Sequence, residues 1–155
     1  MTSLRSGVVD TLTPAVTVRG ALQQQDGEAV WATVATVYAG FLTGDAGAID
    51  TVLDEHVTIW NHDHAPLMVG VADLDAVRAA RVDTPSTGPA VASLSARDVL
   101  VDGAGEVAWC RHLLDVGYAD GTASTARVTD VLRRVDGGWR ICHHHEQELP
   151  AAGLP

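Results

Sequence analysis

The segment that most constrains the fold lies near the C-terminus, at residues 122–149. Two runs that alternate apolar and polar residues flank an Asp-Gly-Gly turn at residues 136–138, and a period of two is typical of β-strands. An Asp-Gly pair between such runs predicts a tight hairpin, because glycine adopts positive φ at no steric cost. The chain therefore folds around a β-hairpin that ends on the triple histidine at residues 143–145.

Strand parity predicts the face that each side chain of the closing strand occupies. If Trp139 lies in the core, His143 and His145 share its face, whereas Cys142 and His144 face outward. The sequence thus predicts two imidazoles that line the interior.

Helical periodicity organises the N-terminal half. Apolar residues recur at helical spacing between Asp26 and Gly44, which predicts an amphipathic helix of about four to five turns. Asp45 can cap a second, short helix through Leu53. Three predicted segments follow, namely a strand at 56–62, a loop at 63–70 that contains Pro66, and a helix at 73–81.

From Ala90 onward the period is two, and further Asp-Gly turn signals stand at 102–103 and 120–121. Helices followed by four meandering strands predict an α+β domain in which a curved sheet wraps the long helix. The predicted organisation is an N-terminal arm at 1–25, one domain at 26–149 and a C-terminal tail at 150–155.

Charge and hydropathy exclude several classes of partner. The sequence has 20 Asp+Glu against 10 Lys+Arg, a net charge of -10, which argues against nucleic acid and anionic membranes because both require a cationic surface. No apolar run reaches the ~20 residues of a membrane span, and the N-terminus lacks the layout of a signal peptide. We therefore expect a cytoplasmic protein, with Cys110 and Cys142 as free thiols.

The order of the elements resembles the nuclear transport factor 2-like (NTF2-like) superfamily, and within it the SnoaL-like proteins, over about residues 26–149. The most specific matching residues are Arg127, Thr129, Asp136, Gly138, Trp139, Ile141 and His145. The resemblance implies a cone-shaped α+β barrel, with three N-terminal helices packed on a curved antiparallel or mixed sheet. It also implies a homodimer formed through the outer sheet face and a pocket between the concave sheet and the helices.

Proteins similar to this chain include polyketide cyclases, ketosteroid isomerase, scytalone and bile-acid dehydratases and limonene epoxide hydrolase. The same superfamily contains association and transport domains without catalysis. Because one fold carries many functions, the chemistry has to be argued from the site.

Four side chains are the candidate catalytic groups. His145 is the first candidate for a general acid/base, since imidazole titrates near neutral pH. Asp63 follows the first long strand and would be a usable base in an apolar pocket. The resemblance implies that Tyr38 hydrogen-bonds a developing oxyanion, and His62 would stabilise the oxygen or protonate the leaving group. Structural roles for the same residues, as core histidine, core tyrosine or solvated aspartate, remain open.

These candidates predict a cofactor-independent enzyme that dehydrates, isomerises or cyclises an apolar, oxygenated small molecule, as in natural-product metabolism. We expect the substrate to contact five further residues, namely Trp60, His143, Arg127, Trp31 and Phe41.

Three alternatives stay open. The pairs His62-x-His64 and His143-x-His145 have the side chains of a transition-metal site. The triple histidine is similar to the closing motif of iota-type carbonic anhydrases, although residues 146–147 are Glu-Gln rather than two serines. A non-catalytic binding or association domain would fill its pocket with side chains, whereas an enzyme would hold acid/base pairs there.

Overall fold

The computed structural model describes residues 12–151. It contains three helices and seven strands. In chain order they are β1 (Val16–Val18), α1 (Gln24–Thr43), α2 (Ala46–Asp50), β2 (Leu53–Asn61), β3 (His64–Val69), α3 (Gly70–Asp83), β4 (Val91–Ala104), β5 (Val107–Tyr118), β6 (Ala123–Val135) and β7 (Gly138–Glu148). The beginning of the predicted arm, residues 1–11, and the end of the predicted tail, residues 152–155, lie outside the described residues.

The long helix α1 has the extent that its periodicity predicts. It ends at Gly44, which adopts φ 69°, the left-handed conformation that favours glycine. Asp45 caps α2 as predicted, since the backbone N–H of Ala48 donates to its side chain at 3.0 Å. The buried stripe of α1 includes Val30, Trp31, Val34 and Tyr38. No helix within residues 12–151 is long and apolar enough to cross a membrane.

The predicted β6–β7 hairpin is confirmed. Asp136 and Gly137 both have positive φ, 50° and 77°, as a tight turn between twisted strands requires. The four C-terminal strands pair as an antiparallel meander.

The sheet is mixed and open. Its strand order is β1-β4-β5-β6-β7-β2-β3, with β1 parallel to β4 and β2 parallel to β7. The expected closed barrel is not formed by the described strands, and the cone shape stays a prediction. The loop predicted at 63–70 is wrong, because most of it forms β3. Pro66 misled the prediction, since proline is tolerated on an edge strand where its missing N–H costs no ladder hydrogen bond.

One face of the sheet, called the inner face here, packs against α1. Buried residues on β5 alternate as Ala108, Cys110, His112 and Leu114, and those on β6 alternate as Ala126, Val128, Asp130 and Leu132. Every second side chain of a strand shares one face. Polar groups therefore enter the core at His112 and Asp130, beside the otherwise apolar side chains of both strands.

A β-bulge in β7 changes which histidine faces the core. Ile141 pairs with Leu132, but His143 pairs with Val131, so Cys142 is an extra residue in the strand. Both Cys142 and Cys110 are free thiols. A bulge adds one residue to one strand. Every side chain beyond it therefore lies on the face opposite to the one that simple alternation predicts.

The predicted faces of the triple histidine are therefore wrong. His144 lies on the inner face opposite Asp130, whereas His143 and His145 lie on the opposite, outer face with Trp60. The parity argument assumed an uninterrupted strand, and nothing in the local pattern marks Cys142 as a bulge.

The close packing of α1 on β1 gives a first prediction. A Cβ at Gly27 would clash with the side chain of Val18, which is β-branched and stiff. We expect Gly27→Ala to lower the free energy of unfolding by about 1–3 kcal/mol, measured by urea denaturation. The matched control is Gly47→Ala in α2, where the new methyl group has only a 3.4 Å contact with Asp45 and should be neutral or stabilising by up to about 1 kcal/mol. An equal response of both variants would contradict the packing argument.

Candidate functional site

Tyr38 and His112 form a hydrogen-bonded pair beneath α1. The Tyr38 Oη atom lies 2.6 Å from His112 Nε2, and both side chains are buried. Trp31 packs edge-on against the His112 ring, with ring centroids 5.0 Å apart. The Trp31 Nε1–H donates to the carbonyl of Leu12 at 3.0 Å, which anchors the indole over the imidazole.

The environment of this pair fixes its protonation. Burial lowers the pKa of His112 to about 4, although the charge of Asp130 opposes the shift. Burial, and then the negative charge of Asp130, raises the pKa of Tyr38 well above its usual value. At neutral pH the tyrosine therefore donates to Nε2 of a neutral imidazole, whose own proton is on Nδ1. That buried Nδ1 atom has no hydrogen-bond partner among the described residues.

Asp130 and His144 form a second, charged pair on the inner face. The Asp130 Oδ1 atom lies 2.7 Å from His144 Nδ1, and the carboxylate is fully buried. Its other oxygen, Oδ2, has no partner among the described residues. On the far side of the ring, His144 Nε2 lies 3.7 Å from Glu146 Oε2.

Burial and the neighbouring carboxylates shift the pKa of His144 in opposite directions. Burial alone would lower it, but the charge and hydrogen bond of Asp130 and then the contact with Glu146 raise the pKa to about 10. His144 is thus an imidazolium between two carboxylates at neutral pH. Burial would raise the pKa of Glu146, but His144 and then His62 lower it.

The line of polar groups continues to the surface at the turn between β2 and β3. His62 Nδ1 lies 3.4 Å from Glu146 Oε1, and His62 Nε2 lies 3.4 Å from Glu148 Oε2. A cleft of about 520 Å³ opens here. Its lining comprises Trp60, Asn61, His62, His145, Glu146, Gln147 and Glu148.

The register of the sheet explains why these groups meet. Asp130 and His144 are directly opposite each other on the antiparallel strands β6 and β7, where side chains on one face are in contact range. His112 is one strand away on β5, opposite Val128, so it shares the inner face with Asp130.

Several of the residues predicted from the sequence lie in these two regions. Tyr38 and Trp31 belong to the buried pair. His62, Trp60 and His145 gather at the cleft, where the Trp60 and His145 rings lie 5.9 Å apart at a tilt of 58°.

Other predicted site residues lie elsewhere. His143 Nδ1 lies 2.7 Å from the Thr58 hydroxyl on the outer face, and burial lowers its pKa. Asp63 is half exposed and both of its carboxylate oxygens accept from Arg81 at 3.1 Å. Arg127 is exposed on the outer face, because the inward positions of β6 are even-numbered.

Phe41 is 53% exposed and is not among the residues that line the cleft. The last turn of α1 packs on α2, where a Cβ at Gly40 would meet Ile49, and leaves Phe41 in solvent. The predicted metal ligands, among them the half-buried His64, are not gathered into a site: within residues 12–151 no three His, Cys, Asp or Glu side chains are placed to hold a metal ion.

Sequence reasoning missed the four groups at the centre of the site, namely His112, Asp130, His144 and Glu146. The alternation Ala108, Cys110, His112, Leu114 was a usable signal, because it places an imidazole on the apolar face of a strand. For His144 and Glu146 no local signal existed, since their faces depend on the bulge.

Comparison with known proteins identifies the family. A family model described as the SnoaL-like domain matches residues 30–148, well over half of the chain. The chain belongs to the SnoaL-like domain family. No protein of curated function matches this SnoaL-like domain significantly.

Solved structures establish that the SnoaL-like domain has the NTF2-like fold. An NTF2-like protein of unknown function from Pseudomonas putida is 16% identical, with 82% of this chain and 89% of that chain covered and a TM-score of 0.69. A ketosteroid isomerase-like protein from Erwinia carotovora atroseptica is 16% identical, with 83% and 99% covered and a TM-score of 0.64. The CaMKII hub of S. rosetta is 22% identical, with 79% and 95% covered and a TM-score of 0.65. At these identities the likeness shows the fold alone.

The protonation of His144 predicts a pH dependence of stability. Its pKa is about 10 in the folded protein and about 6.5 when unperturbed, so the folded chain holds one more proton between these values. The stabilisation from this extra proton is complete below about pH 6.5 and is lost as the pH rises towards 10. Over this range the free energy of unfolding falls by up to about 1.4 kcal/mol per pH unit. We expect His144→Gln to lack this slope in urea denaturation between pH 6.5 and 10.

The control for this measurement is His145→Gln, which removes a neighbouring imidazole that is exposed and has no carboxylate partner in the described residues. It should retain the alkaline slope of the unmodified protein. Identical slopes in all three proteins would contradict the assignment of a charged His144.

Proposed function

We propose that this SnoaL-like domain is a general acid/base enzyme that acts, without an organic cofactor, on an apolar, oxygenated small molecule. Dehydration, isomerisation and cyclisation are the reaction types that we propose. The observation that carries the proposal is the pair of unpartnered buried atoms, His112 Nδ1 and Asp130 Oδ2. One is a donor and the other an acceptor, and a buried polar group normally has a partner. An interior that holds both provides the two halves of an acid/base catalyst.

In the proposed mechanism, Asp130 Oδ2 removes a proton from a carbon next to a carbonyl group. The other oxygen of Asp130 is held by His144 at 2.7 Å, which orients the carboxylate and balances its charge. His112 Nδ1–H donates a hydrogen bond to the carbonyl oxygen as negative charge develops there. Tyr38 fixes the tautomer that makes this donor available, since its hydroxyl occupies Nε2.

The roles assigned from the sequence are redistributed in this proposal. Tyr38 keeps its place at the developing oxyanion but acts through His112. The base is Asp130 rather than Asp63 or His145, because Asp63 is paired with Arg81 in an exposed turn and His145 lies on Trp60 at the cleft. Trp60 and His145 offer an aromatic surface at the entrance. The carbonic anhydrase-like alternative stays a prediction.

The test is hydrogen–deuterium exchange at enolisable carbons, followed by proton NMR in D2O with polyketide-like and other ketone probes. For a probe that the protein deprotonates, Asp130→Asn and His112→Gln should each slow exchange by about 100-fold or more, as expected for a positioned acid or base. The matched control is Asp63→Asn, which should retain the full rate. Circular dichroism establishes that each variant is folded.

Full exchange rates in both Asp130→Asn and His112→Gln would overturn the mechanism. Tyr38→Phe gives an independent check, since it leaves the charged pair intact and removes only the group that orients His112. We expect Tyr38→Phe to slow hydrogen–deuterium exchange of the probe, because His112 loses the hydrogen bond that fixes its tautomer.

We also propose that the domain forms a homodimer through the outer face of the sheet. Trp109 on β5 faces away from α1 and remains 36% exposed, and its neighbour Val107 is 43% exposed. Large exposed apolar groups at one site are typical of protein interfaces. The likeness to CaMKII hub domains supports an associating role for this fold.

Sedimentation equilibrium tests the dimer. We expect Trp109→Glu to dissociate it, because a carboxylate would be buried against apolar surface. Val82→Glu is the matched control, since Val82 is 78% exposed at the end of α3 and should not affect the association. A monomeric unmodified protein, or equal dimerisation of both variants, would contradict the proposed interface.

A further inference from the structure

A line of titratable side chains connects the buried site with the cleft. It begins at Asp130, whose side chain is 0% exposed, and continues through His144 at 15%, Glu146 at 18% and His62 at 36%. The successive contacts are 2.7 Å, 3.7 Å and 3.4 Å. The exposed fraction rises at every step, so the line is a graded path from the interior to solvent.

We infer that Asp130, His144, Glu146 and His62 form a proton relay that exchanges the proton handled at the buried site with water in the cleft. The inference rests on the proposed function and deepens it. A buried base that has taken a proton from its substrate can exchange that proton with water only through groups that reach the surface, and Trp31 and Tyr38 pack against His112 on the other side of the site.

The geometry of each member suits this role. His144 directs one ring nitrogen at Asp130 and the other at Glu146. Glu146 presents one carboxylate oxygen to each histidine, Oε2 to His144 and Oε1 to His62. Glu148 holds the outer nitrogen of His62. His144, Glu146 and His62 therefore each have one contact towards the interior and one towards the surface, and Asp130 contacts His144 through one oxygen and leaves the other free for the substrate.

The charges couple the steps in the required order. When Asp130 takes a proton it becomes neutral, and the pKa of His144, which the Asp130 charge raises, then falls. His144 gives its Nε2 proton to Glu146, Glu146 gives a proton to His62, and His62 releases one to water. His144 still carries its Nδ1 proton, so its ring turns to take the proton of Asp130 on the free Nε2 atom and then turns back. One proton has crossed, only N–H and O–H bonds have changed, and every group has its starting charge.

Three buried titratable groups near the line keep their charge near neutral pH. Burial, and then the charge of Asp130, raises the pKa of the Cys110 thiol, and the pKa of Tyr38 is raised likewise. Burial lowers the pKa of His112 to about 4. These three groups stay neutral while the relay changes its protonation.

The relay can be tested without a substrate, with water as the probe. In the full chain labelled with ¹⁵N-histidine, magnetisation transfer at pH 7 measures how fast the ring N–H protons of His144 exchange with solvent. We expect Glu146→Gln and His62→Gln each to slow this exchange by about 100-fold, because a positioned acid or base contributes at least that factor to proton transfer.

The direction of the change separates a relay from a structural contact. If Glu146 and His62 only shielded His144, their replacement would admit water and leave exchange unchanged or faster, which would overturn the inference. His145→Gln, in the same cleft but outside the line, is the matched control and should leave the rate unchanged. In His62→Ala, added imidazole should restore exchange, and failure of this rescue in a folded variant would also overturn the role of His62.

The outcome is independent of the catalytic proposal. Slow exchange in the variants together with no turnover on any ketone probe would support the relay and count against the enzyme. Normal turnover in His62→Gln would overturn the relay and leave the roles of Asp130 and His112 intact.

Discussion

The contact between Asp130 and His144 is the interaction on which the rest of the site depends. A fully buried carboxylate is costly unless a charged and hydrogen-bonded partner compensates it, and His144 at 2.7 Å is that partner. The pair exists because the extra residue Cys142 rotates the end of β7 by one position. Without the bulge, the register of Ile141 with Leu132 would place His143 opposite Asp130 on the inner face, and His144 would face outward.

Buried ion pairs contribute little net stability, because desolvation offsets most of the attraction. Such a pair beside apolar side chains therefore marks a candidate functional site. Strongly perturbed groups cluster at functional sites because catalysis needs them. On the inner face of this sheet, the pKa of His112 is lowered and the pKa of His144 is raised.

Two histidines of the inner face illustrate how surroundings set protonation. His112 meets a neutral phenol and an indole, and burial lowers its pKa to about 4. His144 is held between two carboxylates, which outweigh burial and raise its pKa to about 10. The neutral ring can act as a hydrogen-bond donor to an oxyanion, and the charged ring can orient a carboxylate base. The NTF2-like fold supplies the scaffold for this division, but the chemistry belongs to the residues placed on it.

The sequence by itself determined the local elements of this protein. Helical periodicity and the capping residues Gly44 and Asp45 determined α1 and the start of α2, whereas the predicted end of α2 at Leu53 is wrong because β2 begins there, and Asp-Gly at residues 136–137 determined the closing hairpin. These features depend on neighbours within a few residues, so a linear pattern contains them. Tyr38 could be placed on the buried face of α1 for the same reason.

Only the tertiary structure decided which polar groups meet. Pairing Asp130 with His144 requires the register of two strands and the position of a bulge. Pro66 could be assigned to a strand only once β3 was known to lie at the edge of the sheet. A slip of one residue moves every side chain of a strand to the other face, so parity read from the sequence failed for the triple histidine. Register results from contacts between distant segments, and a local pattern does not contain them.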